Sequence, residues 1–596
     1  MIKHAGWVIG FFVASLAVAQ DQGAPVPAWA QQAVWYQIFP ERFYSALRSN
    51  DPVRASLEFP DQVPESWRVA RWTWDWYRRD HWEKEMGPDF YEHGVFHRRY
   101  GGDLVGVLEK LDYLDSLGIT AIYFNPVFYA RSLHKYDATL YHHIDPYFGP
   151  DPEADLAIMS GEDPGNPKTW TWTTADTLFL HLVREAHRRG IRIIIDGVFN
   201  HTGRDFFAFA DLQRHQAQSP YRDWYIVTSF DDPRTPENEF RYKGWWGVET
   251  LPEFANTPDN SNLAPGPRRY LFAITRRWMD PDGDGNPADG IDGWRLDVAE
   301  EVPLGFWKEW HQLVHSLNPE AYTVAEIWGD AADFIREGGF TAAMNYHGFA
   351  IPVKYGLIDR RFSLRELVRQ LGERRKAFSP ERQRAMQNLI DSHDTDRLAS
   401  MIVNRHLRLN YDRDNSPRWS GLYDIRKPTA EERRMQRLVA LLQMTYVGSP
   451  MVYYGTEAGM WGADDPDDRM PMVWPDSTYE LQQRDPRGYL CRQDTVAFDR
   501  ALFAYYQRII ALRKQEEALT RGDISFLDAP EDVLYFHRTY RGDTLSVALN
   551  ASKNVRPVPV QGRLRVLLKS SEEPIRVEQG VLYLPPLTGV VFRYEP

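Results

Sequence analysis

What most constrains this 596-residue chain is an alternation: eight short apolar runs, at 34–40, 121–126, 193–198, 293–298, 322–328, 342–346, 388–393 and 451–455, separated by stretches with helical period. Such runs read as buried parallel strands joined by helices. Leu104, Val107, Leu108, Leu111, Leu114 and Leu117 share one helical face, with Gly118 as a stop. The pattern at 178–189 ends at Gly190 with basic residues in its last turn, and 502–514 follows the eighth run. Eight such units form either an open doubly wound sheet or a closed barrel. Closure removes exposed sheet edges, so the expected fold is α/β, a (β/α)8 TIM barrel over 33–515.

Two connections are too long to be simple turns. Residues 45–100 carry Trp67, Trp72, Trp74, Trp76 and Trp82, and 203–267, after the third strand, are rich in Pro, Asn and aromatics without helical period. Both are expected as loop-rich insertions over the barrel mouth. The tryptophans either line that mouth and govern substrate length or pack on one another. From 520 the pattern turns to short strands at 524–527, 533–539, 544–549, 563–568 and 581–584, expected as a C-terminal antiparallel β-sandwich over 520–596.

At the start, Lys3 and His4 precede an apolar run that closes on Ala17-Val18-Ala19, the pattern of a cleavable signal peptide over 1–19 and too short a run for an anchor. A secreted or periplasmic mature protein without a membrane span is expected. Cys491 is the only cysteine, which excludes an intrachain disulfide and a thiolate zinc site. With 70 basic and 83 acidic residues and no basic patch, nucleic acid is not an expected partner.

In a barrel, chemistry sits at the C-terminal strand ends. Here those ends carry Asp196, Asn200 and His201, then Arg295 and Asp297, then Glu326, then His393 and Asp394. One terminal Asp reads as a helix cap, but four strands delivering acids to one face read as a site. Arg295 and Asp297 are two apart and point the same way, so the guanidinium should hold Asp297 ionised as a nucleophile. Glu326, framed by Val324, Ala325, Ile327 and Trp328, should keep its proton as a general acid. Two carboxyls of this kind suit a retaining glycosidase, where they stand about 5–5.5 Å apart.

DGVFNH (196–201), GWRLDV (293–298), AEIW (325–328) and SHDTDR (392–397) resemble, in order, the four hallmark segments of the α-amylase family of glycoside hydrolases. GGDLVGVLEKLDYLDSLGITAIYFNP (101–126), HKYDATLYHHIDPYFG (134–149) and GSPMVYYGTE (448–457) match as well, so the resemblance covers 33–596. It implies Asp297 as nucleophile, Glu326 as acid/base, and Asp394 as the acid that grips sugar hydroxyls in the transition state. It further implies that His201, Arg295 and His393 orient the sugar, that Tyr136 is its stacking platform, and that 203–267 corresponds to domain B. AEIWGDA, LYHHIDPYFGPDPEAD, AAMNYH and DPDDRMPMVW are most similar to the neopullulanase, cyclomaltodextrinase and maltogenic amylase group. There Asp465 and Arg469 match a pair contacting sugar beyond the cleavage point, the alternative being a solvated ion pair, and Trp328 either shapes the acceptor side or simply packs. The barrel begins near Val34, so dimerisation through the N-terminal β-domain often found in that group is not expected.

Asp280, Asp282 and Asp284, with Asn286, place oxygens at alternate positions of a glycine turn, the opening of a hard-cation loop, although Ile291 stands where a twelfth-position Glu would complete it. The pattern suits a structural calcium ion and, equally, a plain Asp/Gly turn. Asn50, Asp51, Gly101 and Asp103 resemble a calcium site of the group, with Ser45 and Leu47 where it has Asn and Asp. No organic cofactor is expected. The reading is a secreted retaining hydrolase of α-1,4 bonds in an α-glucan substrate (maltodextrins, cyclodextrins, pullulan or starch) acting through a glucosyl-aspartate. An α-glucosyltransferase or isomerising enzyme is the alternative, because sugars compete with water for that intermediate. A non-catalytic glucan-binding protein is opposed by the intact Asp297, Glu326 and Asp394.

Overall fold

The computed structural model describes residues 25–405, 416–418 and 420–595; the signal peptide expected over 1–19 lies outside them. The eight apolar runs become β1 (Trp35–Ile38), β2 (Ala121–Phe124), β3 (Arg192–Gly197), β4 (Gly293–Leu296), β5 (Tyr322–Ala325), β6 (Ala342–Ala343), β7 (Gln387–Asn388) and β8 (Ser449–Tyr453). They form one parallel sheet in the order β6-β5-β4-β3-β2-β1-β8-β7, and a parallel bridge between Met344 and Gln387 joins its two ends. Apart from Arg192, every strand residue is buried, which is why the runs show no alternation. Gly293 opens β4 at φ 152°, where a Cβ would stand 1.8 Å from the Tyr322 carbonyl oxygen; only glycine lets β4 lie this close to β5.

A helix follows every strand: Leu111–Leu117, Thr174–Arg188, Pro265–Met279, Leu304–Leu317, Ala332–Gly338, Leu364–Arg375, Ala430–Thr445 and Arg500–Gln515. Thr174–Arg188 shows why these form. Thr173 and Asp176 make a reciprocal capping box, Phe179, Leu182, Val183 and Ala186 bury one face, and His187 and Arg188 occupy the last turn. The single helix expected from the leucine spacing at 104–117 is instead two, Leu104–Glu109 and Leu111–Leu117, broken at Lys110 (φ −98°, ψ 4°).

After β3, the stretch expected to lack helical period contains the helix Phe207–His215 and a small antiparallel pair, Val227–Ser229 with Arg241–Tyr242. The C-terminal region has a five-stranded antiparallel sheet (Asp523–Phe526, Val533–Tyr540, Asp543–Asn550, Thr588–Glu595, Arg563–Lys569) and a three-stranded one (Arg556–Pro559, Val581–Leu584, Arg576–Glu578). Val533, Tyr535, Val558, Leu582, Leu584 and Phe592 are buried together in their shared core.

Of the tryptophans of 45–100, Trp67, Trp76 and Trp82 are buried in a separate small core on which Trp72 packs, which fits the reading that they pack on one another; Trp72, Trp74 and Trp76 also line a shallow cleft with Trp461 and Tyr479. Asp467, in the loop after β8, accepts hydrogen bonds from the Trp76 indole at 2.6 Å, the Tyr77 hydroxyl at 2.7 Å and the Tyr91 hydroxyl at 2.5 Å. These bonds fasten the insertion to the C-terminal face of the barrel. Each buried donor left unpaired costs about 1–3 kcal/mol, so Asp467→Ala should destabilise the protein by on the order of 3 kcal/mol or more in urea unfolding and speed protease cleavage within 45–100. Unchanged cleavage there would show that the insertion is held by other contacts.

Candidate active site

Cross-strand register brings the site together. Asp196 on β3 pairs directly with Arg295 on β4, so both side chains lie on one face. Arg295 is fully buried. Its Nη1 donates to both Asp196 oxygens, at 2.8 and 3.0 Å, and to Asp297 Oδ1 at 2.7 Å, while Nη2 stands 2.8 Å from Glu326 Oε2. Asp297 and Glu326 therefore share one guanidinium. Glu326 Oε2 also accepts from the Val298 amide at 3.0 Å, and Oε1 from the Trp328 indole at 3.2 Å. Val298 holds φ 38° and ψ 49°, a left-handed conformation strained for a β-branched residue, and in it its N–H reaches the acid.

A hydrogen-bonded chain frames Asp196. The Gln37 amide nitrogen donates to Asn125 Oδ1 at 2.9 Å and faces His393 Nδ1 at 2.9 Å. His393 Nε2 lies 2.5 Å from the Tyr136 hydroxyl, which also accepts from Asn125 at 3.2 Å and donates to Asp196 Oδ2 at 3.0 Å. With Nδ1 accepting from Gln37, the His393 proton sits on Nε2 and is given to Tyr136; every donor in the chain then has an acceptor. Burial, reinforced by Arg469 and Arg295, holds His393 well below its ordinary pKa, consistent with that neutral tautomer. The Tyr136 and His393 rings stack at 5.6 Å and 12°. A further bond to Asp196 Oδ2 comes from Tyr123 at 2.6 Å.

The remaining sequence-predicted residues are here too. His201 stacks on Trp245 at 5.5 Å, and burial lowers its pKa to about 3 against a backbone hydrogen bond with Tyr136, so it is a neutral, buried ring. Trp328 stacks on Tyr346 at 3.8 Å and 10°. Arg469 bonds the His393 carbonyl at 2.8 Å and reaches Asp394 Oδ1 at 3.3 Å and Asp465 Oδ1 at 3.2 Å, so Asp465 and Arg469 are tied to the acid cluster rather than forming a solvated pair. The Asp297, Glu326 and Asp394 side chains keep 10, 8 and 29% exposure, so Asp394 is the most open of the three.

Electrostatics depart from expectation at Asp297. Burial pushes its carboxyl well above the usual range, with Arg295 opposing and Glu326 and Asp196 adding to the rise. Burial likewise raises Asp196 against Arg295. The expectation that Arg295 holds Asp297 ionised overlooked that one buried cation serves three acids. Tyr123, Gln37, Asn125, Tyr346 and Trp245 were not placed in the site by sequence; Asp196 was, but its contact with Arg295 depends on strand register, which one sequence does not show.

At the glycine turn, the oxygens that converge are those of Asp280, Asp282 and Asp289, within 4.8 Å of one another. Asp284 lies outside that group and accepts from the Asn286 amide at 2.7 Å, while Asp282 and Asp280 also accept from amides of the turn. Near the barrel start, Asp103 is used as a cap, accepting from Ala46, Leu47 and Gly106 amides. Ser45 Oγ, Asn50 Oδ1 and Asp51 Oδ1 are buried there without hydrogen-bond partners, oxygens that suit a hard cation.

Burial and Glu326 push Asp394 up to about 7, from an ordinary 3.8, against Arg469 and Arg295. The folded state thus holds this proton more tightly than the unfolded one. Its contribution to stability is complete below about pH 4 and is lost as pH rises through about 7. Asp394→Asn, neutral throughout, should gain on wild type in urea midpoint across that window; parallel pH profiles would contradict the assignment.

Residues 37–160 and 171–522 match the alpha amylase catalytic domain family. The chain is 33% identical over 574 residues to neopullulanase 2 of Thermoactinomyces vulgaris, covering 95% of this chain and 78% of that protein. It is 31% identical to a cyclomaltodextrinase of Geobacillus thermopakistaniensis, covering 96% and 78%. Among solved structures, the type III pullulan hydrolase from Thermococcus kodakarensis superposes with a TM-score of 0.70 at 26% identity, covering 96% of this chain and 83% of that one. With the fold, the shared-arginine acids and these matches agreeing, the chain belongs to the α-amylase family and is a glycoside hydrolase of the α-amylase type.

Proposed function

We propose that the protein is a retaining α-glucan hydrolase cleaving α-1,4 bonds in maltodextrins, cyclodextrins, pullulan or starch, with Asp297 as nucleophile, Glu326 as acid/base and Asp394 gripping sugar hydroxyls. The observation that carries this reading is the single guanidinium shared by Asp297 and Glu326. In the first step Glu326 gives its proton to the glycosidic oxygen, the C1–O bond breaks, and an Asp297 oxygen bonds C1. In the second, Glu326 takes a proton from water, whose oxygen attacks C1 and releases Asp297. Negative charge leaves Asp297 as it arrives on Glu326, so Arg295 faces the same total charge before and after. Tyr136, stacked on His393, offers a flat face to the sugar.

The names of the relatives favour pullulan and cyclodextrins as first substrates to assay. Transglycosylation is the second reading, favoured by Trp328, which stacks on Tyr346 beside the acid/base and would give an acceptor sugar a rigid aromatic wall. Longer oligomers formed from maltotriose would indicate transfer, and reducing-sugar release hydrolysis. Export belongs to the same reading, supported by the leader-like run ending at Ala19; N-terminal sequencing of the exported protein should begin at Gln20.

Glu326→Gln should lower turnover by about 10²–10⁴-fold while sugar binding survives. Near-normal turnover would refute its role. Labelling of Asp297 by an activated fluorosugar, absent in Asp297→Asn, tests the nucleophile; label on another acid would displace it. Calcium is proposed at Ser45, Asn50 and Asp51, and at Asp280, Asp282 and Asp289, where it would neutralise clustered oxygens. Chelation should then lower Tm, with calcium restoring it; a Tm indifferent to both would exclude the ion.

A further inference from the structure

A second cluster of ligand-type side chains lies apart from the catalytic acids, on the strand Ala138–Ile144 and the loop that precedes the helix Thr174–Arg188. His142 and His143 are fully buried, and the Glu162 side chain, 3% exposed, closes on them. Glu162 Oε2 stands 3.5 Å from His142 Nε2 and 2.8 Å from His143 Nε2, and one ligand atom of each residue lies within 4.8 Å of the other two. Tetrahedral zinc with bonds of about 2.0–2.1 Å needs ligand atoms roughly 3.3 Å apart, a spacing these distances bracket.

The far nitrogen of each ring is already engaged. His142 Nδ1 is 2.8 Å from the Tyr270 hydroxyl, and His143 Nδ1 is 2.7 Å from Asp176 Oδ2. That is how a metal-bound imidazole is held: the outer nitrogen is fixed by a carboxylate or hydroxyl and the inner lone pair faces the ion. His142 Nε2 is buried and approaches Glu162 Oε2 only at the long distance of 3.5 Å. With His143 neutral and its Nδ1 proton given to Asp176, its Nε2 lone pair faces a Glu162 oxygen, a contact that a cation between them would relieve. Trp170 stacks on His142 at 4.2 Å and 9°, fixing the ring plane, and the Thr171 amide occupies Glu162 Oε1, leaving Oε2 to the ion. Two carboxylates, Glu162 and Asp176, face one guanidinium, Arg277, 3.2 Å from Asp176, so the local balance favours an added cation.

We infer that His142, His143 and Glu162 bind a divalent first-row transition ion of the zinc type, with one coordination position left to water. Two imidazoles and a carboxylate suit zinc better than calcium. The ion would brace the strand whose Tyr141 hydroxyl holds the Val198 and His201 carbonyls at 2.6 Å each, and with them the segment that carries His201. The inference does not depend on the glucan reading.

The full chain, stripped by chelator and returned to zinc chloride, tests it by metal content, thermal melting and the visible spectrum of the cobalt(II)-substituted form. The wild type should take up one zinc more per chain than Glu162→Gln, melt higher with zinc, and show cobalt bands of four-coordinate intensity. Tyr270→Phe, which keeps the ligands but frees His142, should weaken zinc binding by about 10–100-fold. Circular dichroism establishes that each variant folds. Equal zinc uptake by wild type and Glu162→Gln, or none by the wild type, would overturn the site and leave His143 as an imidazolium held between Asp176 and Glu162.

Discussion

The active site depends on Arg295. Taking a charged group out of water costs several kcal/mol, and three acids gathered in one buried place would repel one another unless a cation sat between them. Arg295 contacts Asp196, Asp297 and Glu326 at once, which holds three carboxyls around one cation. In the proposed mechanism charge would move from one partner of the guanidinium to another rather than appear or vanish, so the surrounding dipoles would need little reorganisation, the condition under which fixed electrostatics lowers a barrier.

The barrel gives Arg295 its partners because a closed parallel sheet brings the ends of distant segments to one rim. Gln37 ends near β1, Asn125 follows β2, Asp196 lies on β3 and His393 follows β7, yet they form one hydrogen-bonded chain through Tyr136. The chain has a direction, from the Gln37 amide to the Asp196 carboxylate, and this determines the His393 tautomer without a charged imidazole. Reversing one member would leave two donors or two acceptors facing in a buried place, so the network resists piecemeal change.

The strands were legible because both of their faces are buried, which makes each a continuous apolar run. Their lengths were not: β6 is two residues because the chain turns into the helical segment Tyr346–Ala350, and β7 is two because residue 389 onward leaves the sheet. Leucine spacing runs unbroken across Lys110, so the break there left no trace in the pattern. Thr588–Glu595, a central strand of the C-terminal sheet, begins two residues after Pro585-Pro586, and Arg556–Pro559 contains two prolines, features that read as loop. The acid cluster was legible because strand ends ought to be bland and these are not. What one sequence withheld was pairing: Asp196 with Arg295 across strands, Asp289 rather than Asp284 at the glycine turn, and the burial that separates Trp76 from Trp74.

The loop after β8 links the aromatic insertion to the acid cluster. Asp467 accepts from Trp76, Tyr77 and Tyr91 of the aromatic insertion, and two residues on Arg469 reaches Asp394 and the His393 carbonyl. A displacement of the insertion large enough to shift Asp467 would act two residues from Arg469, on the same 3-10 turn, Asp467–Arg469. Arg469 would then leave the distance at which it offsets the burial of Asp394, and that carboxyl would hold its proton more tightly. The insertion thus helps set the charge of an acid placed to hold sugar hydroxyls, without any of its own side chains having to reach the sugar.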